Sequence, residues 1–521
     1  MTLQTPIPIG NDPYATAYNS VGRERCENLY LERAGSETAK AQEFFIKIPG
    51  LRRFIASTST NACRGLFTAS SGRCFGVFGR DVFEILSNAS KSLLFQIDTF
   101  TGPVQIAENR ASDRDQEEIV LLFVDGANGY LFRLVDNTVE KIDPDTDGNE
   151  GFPNGATHVT CLDTYFLVND PNTNRYGWSN PLYLGRTSAG LSGTGHWNGQ
   201  NTNTKIAKPD NIVALTDCQN MLWLFGSNTI EVHYDAGASA TATTGFAGVW
   251  QRYESAIIEV GCSARYSPAK FANNVFWIGA DKTGTFGVFT NEGFLPKRIS
   301  TRGIEQIMAQ MPTVDDAVAF VFSEQGHSFY LIHFAEGDRT LVYDITTGTW
   351  HERTYLFREE GATHKWRGQY VCKAFGKLLF GDNSTDCIYQ SDQQYYANDN
   401  PSGSGVNYIK CVKTTPIGFA SGSLVRYKAV QPIFQHGVGL PQNTSEDVGL
   451  DPVALIAYSD DSGNSWSQER EVKLGKRGNY DTRSRLIQCG AARNRVWRIT
   501  HTEPVPCILV GLMAELQPLG R

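Results

Sequence analysis

Short apolar runs alternate with polar residues along most of the chain, and each run stops at Gly, Asn or Asp. RGLFTASSGRCFGVFGRDVFEIL, NIVALTDCQNMLWLFGSNTIEVHY and VAFVFSEQGHSFYLIHFAEGDRTLVYDITTGTWHER show the pattern. A strand meets a tight turn, a strand of Leu, Phe, Trp and Tyr follows, and a second turn leads to a third strand. Apolar positions with a period of two belong to a pleated strand with one buried face. Ala127-Asn128-Gly129, Asp235-Ala236-Gly237 and Thr347-Gly348 suit hairpin turns. The units begin near residues 63, 115, 157, 212, 261, 318 and 368. That spacing is about one four-stranded propeller blade. The pattern predicts an all-β protein whose residues 51–400 form a β-propeller of about seven degenerate blades. Unrelated hairpins in two sandwiches would be the plainer alternative.

One window breaks the rhythm. In GIEQIMAQM, Ile304, Ile307, Met308 and Met311 share one face at helical spacing, which predicts a packing helix between blades. Residues 1–50 carry Pro6, Pro8, Pro13 and Pro49 and read as an extended arm. ANDNPSGSGVN (397–407) has the composition of a linker. Strand patterns resume after it, in VALIAYSDD, SQEREVKLG, RVWRITH and CILVGLMAELQ, so 401–521 is expected to be a C-terminal β-sandwich domain.

Composition adds limits. The 521 residues exceed one ordinary core. The net charge of -8, without a Lys/Arg run, speaks against a general nucleic-acid binder. It suits a surface that DNA slides past, because phosphates are repelled. The 11 cysteines are scattered and form no C-x-x-C pair, which predicts free buried thiols in a protein folded in a reducing cytoplasm. The opening MTLQTPIPIG lacks the charged and apolar regions of a secretory signal, and no apolar run has the length of a membrane helix.

Two motifs carry candidate chemistry. Ser459, Asp461, Gly463 and Trp466 fit S-x-D-x-G-x-x-W, the Asp-box turn. Its chemistry is structural: the carboxylate caps backbone N–H groups, the glycine takes positive φ and the indole packs beneath. Asp143, Asp145 and Asp147, followed by Gly148, fit the opening of a calcium loop. Asn154 stands where a bidentate Glu is needed, and Pro144 is out of place, so a solvated acidic loop is the preferred reading. No nucleophile elbow, phosphate loop or zinc helix motif occurs. His327 and His333 read as satisfied sheet histidines. No catalytic residue, cofactor site or firm metal site is expected.

Several segments together resemble the packaged-DNA stabilisation proteins (tail hub or nozzle proteins) of short-tailed bacteriophages. They are IPGLRRF, LWLFGSNTIEVHYDAG (222–237), GIEQIMAQM, HSFYLIHFAEGDRTLVYDITTGTW (327–350), RGQYVCKAFGKLLFGD (367–382) and YSDDSGNSWSQE…RVWRI, in the same order along nearly the whole chain. The resemblance implies a non-enzymatic virion tail subunit that forms a homo-hexamer below the portal and its head-to-tail adaptor ring. Such a ring extends the channel, retains packaged DNA without sequence-specific binding and releases it on ejection. It carries tail fibres or tailspikes and is closed by a tail needle or plug. The segments 188–204 and 436–449 look like insertions and are expected at contacts with neighbours. The alternative is a sialidase-like glycan hydrolase or lectin, suggested by a propeller with an Asp box.

Overall fold

The computed structural model describes residues 3–519 apart from 11–12, 15–23, 36–40, 110–118, 146–148, 181–196, 238–248, 282–283, 358–359, 404, 417–422 and 442–447. Strands dominate it. The N-terminal ones are β1 (Leu3–Ile7), β2 (Cys26–Glu27), β3 (Leu29–Arg33), β4 (Glu43–Lys47) and β5 (Gly50–Ile55). The helix α1 (Arg302–Ala309) lies at the expected place, capped by Thr301, with Ile304, Ile307 and Met308 buried. It packs against Phe286–Glu292 of the preceding blade.

Six four-stranded antiparallel sheets are free-standing units. A further four-strand meander, Val318–Glu324 to Thr349–Glu352, runs on into a nine-stranded sheet instead of ending at its outer strand. Of the about seven degenerate blades expected, six are therefore separate among the described residues, and the remaining meander is fused to the C-terminal domain. The innermost strands run from Cys63–Thr68 to Gly368–Ala374; each packs beside the next, and the last packs on the first. Aromatic side chains fill the gaps between sheets. Phe95 stacks on Phe132 at 5.6 Å and meets Phe123 edge-on at 5.4 Å between the first two blades. Eight of the nine tryptophans are fully buried, each contributing about 2–3 kcal/mol from apolar burial.

The ring closes with a strand from the far end of the sequence. β5 pairs antiparallel with Ile388–Asp392 and completes the last blade. The linker that leaves β5 is then clasped by one carboxylate of that blade. Asp386 accepts hydrogen bonds from Ser57 Oγ (2.9 Å), Thr58 N (2.7 Å), Thr58 Oγ1 (2.6 Å) and Ser59 N (2.8 Å). Lys91 of the first blade completes the set with an ion pair.

The segment 1–50, expected as an extended arm, supplies strands to the C-terminal domain. β1, β3 and β4 enter a seven-stranded sheet built on the antiparallel pair Val425–Phe434 and Ile508–Pro518. β2 lies parallel to Thr349–Glu352 and antiparallel to Cys411–Thr414, and so joins a propeller blade to the sandwich in one sheet. The two expected insertions are partly built in. Trp197 is buried edge-on against Phe152 at 4.9 Å, and Thr202–Thr204 is the outer strand of the third blade. Leu440 N–H donates to Gly449 O across the second insertion (2.7 Å), while 181–196 and 442–447 lie outside the described residues.

β3 is tied to the ring by an ionised histidine. His327 Nδ1 bonds Asp344 (2.7 Å) and Nε2 bonds Glu32 (2.9 Å). Burial pulls its pKa down, but the two carboxylates outweigh that and push it up to about 9. His327 is thus an ion-pair centre, unlike His333, which burial holds neutral with a pKa of about 3.

Two outcomes follow from these ties. Asp386→Asn should lower stability by about 3 kcal/mol at neutral pH, through buried donors left unpaired, as read by chemical denaturation. Burial raises the Asp386 pKa, yet Lys91 and the other donors hold it well below the carboxylate range. Its contribution is therefore present above the unfolded pKa of about 4 and lost as pH falls below it. His327 has the opposite sign. Its contribution is full below about pH 6.5 and lost as pH rises towards 9. Melting curves across that window should show a decline in the wild type that His327→Gln flattens.

Candidate docking site at the propeller–sandwich junction

Where β2 joins the two domains, a cavity of about 270 Å³ opens between them. The N-terminal segment supplies Tyr14 and Arg25, the fused blade supplies Arg339 and Glu352, and the sandwich supplies Thr414, Trp466 and Arg498. Hydrogen bonds between these elements place several of them. Arg25 N–H donates to Thr414 Oγ1 (2.6 Å). Tyr14 Oη donates to Glu352 (2.8 Å), which also receives Arg339 at 3.2 Å. Burial, followed by the charge of Glu352, raises the Tyr14 pKa well above the phenol range, so it stays a donor.

The Asp-box turn forms the sandwich wall of this cavity, through Ser462, Gly463 and Trp466. Ser459 Oγ donates to Asp461 (2.6 Å) and accepts from Gly463 N (2.8 Å). Asp461 also receives Ser465 N (2.9 Å) and Ser465 Oγ (2.6 Å). The hydrogen bonds from Ser459 and Ser465 lower its pKa to about 2. Gly463 has φ of 91°, and a Cβ there would lie 3.7 Å from the Trp466 ring beneath it. Trp466 alone among the tryptophans escapes full burial, and the Arg498 guanidinium covers its ring at 4.4 Å.

A residue the motif does not contain anchors the turn. Arg495 is almost fully buried and holds Asp460 with two hydrogen bonds of 2.6 and 2.7 Å. Its guanidinium lies 3.8 Å from the Tyr458 ring centre and 4.7 Å from that of Tyr427. Neither Arg495 nor the cavity arginines had a readable signal, because their partners lie in distant segments.

The arrangement suits recognition better than catalysis. Arg25, Arg339 and Arg498, ion-paired with Glu27, Glu352 and Glu469, line the cavity together with hydroxyls and a partly open indole. Glycoside hydrolysis needs two carboxyl groups flanking one bond. Among the described lining residues, Glu352 is the one carboxylate, and it is engaged by Tyr14 and Arg339. The Asp box lies in the sandwich, where the sequence placed it, and not in a blade.

The calcium-loop residues are only partly described. Asp145 N–H donates to Asp143 (3.1 Å) in a local turn, and Asp147 lies outside the described residues. No group of three metal-ligating side chains occurs among the described residues. All 11 cysteines are buried and unbridged in the structure.

Near the inner strands, a histidine of the third blade reaches a loop that leads towards the later blades. His158, at the inner edge of the third blade, stacks on Tyr266 at 5.0 Å and bonds Arg265 O at 2.8 Å. Tyr266 in turn bridges to Val318 of the fused blade. Burial pushes His158 down to about 4, so it packs there as a neutral ring.

Fold and junction together define a structural β-propeller joined to a β-sandwich. Residues 26–396 match the family model described as Bacteriophage P22 Gp10, beta-propeller, and residues 414–517 match that described as Bacteriophage P22 Gp10, beta-sandwich. The chain belongs to this family of phage DNA-stabilisation proteins, which are structural components of the virion tail. No curated protein matches it in sequence. Similarity to solved structures is distant. A computationally designed Ika8 protein is 9% identical, with a TM-score of 0.36, covering 66% of this chain and 100% of that one. Virginiamycin B lyase from Staphylococcus aureus is 10% identical, with a TM-score of 0.38, covering 65% and 98%. A gluconolactonase from Xanthomonas campestris is 10% identical, with a TM-score of 0.31, covering 74% and 96%. No helix among the described residues is long and apolar enough to cross a membrane.

Asp461→Ala should lower the melting temperature, since Ser459 and Ser465 lose their shared acceptor. Glycan-binding and glycan-cleavage assays on the same variant should match the wild type at zero activity. Cleavage by the wild type that the variant lost would reverse the reading of this turn.

Proposed function

We propose that this chain is a tail hub or nozzle subunit, six copies of which form a ring below the portal and adaptor. The ring extends the DNA channel and retains packaged DNA. Tail fibres or tailspikes dock on its flank, and a needle or plug closes it below. What supports the proposal is the match of residues 26–396 and 414–517 to the phage DNA-stabilisation family, in a propeller joined through β2 to a sandwich. In this reading the DNA channel lies between copies arranged in a ring. A closed ring of copies needs a heterologous interface, in which one patch meets a different patch on the next copy. The charge of -8 per copy favours a bore that does not grip DNA.

Within this reading the propeller (51–400) and the sandwich (401–521) act as one rigid part, because β2 and the junction contacts hold them together. The junction cavity is the docking point for a polar segment of a fibre, spike or adaptor protein, whose acidic groups would exchange with the carboxylates that now pair its three arginines. The chain folds in the host cytoplasm and joins the tail afterwards. It has no catalytic role and needs no cofactor.

The test is to mix the purified chain with portal–adaptor complexes and image the product. Six copies in an axial tube below the adaptor are expected. Absence of binding, or a bore lined by a Lys/Arg ring that holds DNA, would overturn the proposal. In infection, a disabled hub should give filled heads that leak DNA. Stable particles that fail only to adsorb would favour a glycan-directed role.

A further inference from the structure

Two thiols face each other across the seam where the propeller closes. Cys74 lies on the second strand of the first blade, Cys74–Phe78, and Cys372 on the innermost strand of the last, Gly368–Ala374. Their sulfur atoms are 3.4 Å apart, although the residues are 298 positions apart in sequence. A disulfide needs about 2.05 Å between sulfurs. The contact already has its partners in place, and the remaining approach is about the size of a side-chain adjustment.

The two thiols differ in access. Cys74 is fully buried, in a cluster with Ile55, Phe78, Leu379 and Ile388. Cys372 retains 8% exposure and lines a cavity of about 910 Å³ that opens between the fused blade and the last blade. A small solute entering that cavity meets Cys372 first. The hydrogen bond from Cys74 lowers the Cys372 pKa, whereas Cys74 itself is raised by its bond to Cys372 and by burial. Its place on the cavity wall makes Cys372 the thiol that an oxidant reaches. The third cysteine of the cluster, Cys63, contacts Gly65 O at 3.7 Å instead, and burial keeps it protonated.

We propose that Cys74 and Cys372 form a redox staple that locks the first blade to the last when the protein meets a peroxide oxidant. The Cys372 thiolate attacks hydrogen peroxide, the O–O bond breaks, and the leaving hydroxide takes up a proton as water. This leaves a sulfenic acid on Cys372. The Cys74 sulfur then attacks the Cys372 sulfur, the S–O bond breaks, and a second water leaves with the Cys74 proton. The sulfurs lose two electrons in total, and one peroxide becomes two waters. The staple does not depend on the hub role. It gives the ring a covalent closure beside the non-covalent one made by β5 and Asp386. A particle that leaves a reducing cytoplasm would gain this closure without any change of fold.

The experiment treats the full-length reduced chain with hydrogen peroxide and maps its peptides without reduction. A Cys74–Cys372 crosslinked peptide is expected, with a rise in melting temperature of roughly 3–5 °C that a dithiol reductant reverses. Cys372→Ser and Cys74→Ser should each abolish the crosslink and the rise, and Cys63→Ser should keep both. Thiols that stay reduced, or Cys372 driven to sulfinic acid without a crosslink, would overturn the proposal. So would a crosslink through Cys63. The wild-type peptide map decides even if a serine variant fails to fold.

Discussion

A propeller stands or falls by the closure of its ring, and here closure rests on a strand borrowed from the N-terminal segment. Each blade is a small sheet that buries its faces only against its neighbours. An open ring would leave the first and last blades each with one bare apolar face. β5 prevents this by pairing with Ile388–Asp392, more than 300 residues away in sequence. The Asp386 clasp, the Lys91 ion pair and the packing of Cys74 on Cys372 all lie at this same seam. The long loop carries an entropy cost at closure, which grows only slowly with length. Several buried, mutually supporting hydrogen bonds outweigh it.

The same N-terminal segment decides how the second domain sits. β2 is two residues long, yet it turns a blade and half of a sandwich into one nine-stranded sheet. β1, β3 and β4 then complete the other sheet along Ile508–Pro518. The sandwich borrows strands that precede the propeller in sequence, so the domains share a core. His327 with Glu32, and Tyr14 with Glu352, add polar ties across the same junction. A rigid joint of this kind suits a part that transmits position in an assembly, and it places the Arg-lined cavity at a fixed point relative to both domains.

Much was legible in the chain. Unit starts read at 63, 212, 318 and 368 coincide with innermost strands, because alternation and turn residues are encoded within a few neighbouring positions. The helix at 302–309 was readable from its apolar face, and the turn at 459–466 from side chains that bond their own backbone. The unit read at 115 was displaced from its first strand, Gln105–Glu108, since the polar stretch between them hides the pairing. The segment 188–204 read as an insertion because Thr202–Thr204 is an outer strand without apolar alternation.

The sequence alone determined the class of the elements, their rhythm and the chemistry of the tight turns. These depend on the pleat, on φ and on side-chain-to-backbone bonds over a few residues. Only the tertiary structure decided which strand completes which sheet, which arginines meet in one cavity and which thiols face each other. Backbone hydrogen bonds between strands are nearly indifferent to side-chain identity. The partner of a strand such as β5 is therefore set by where the rest of the ring leaves an open edge.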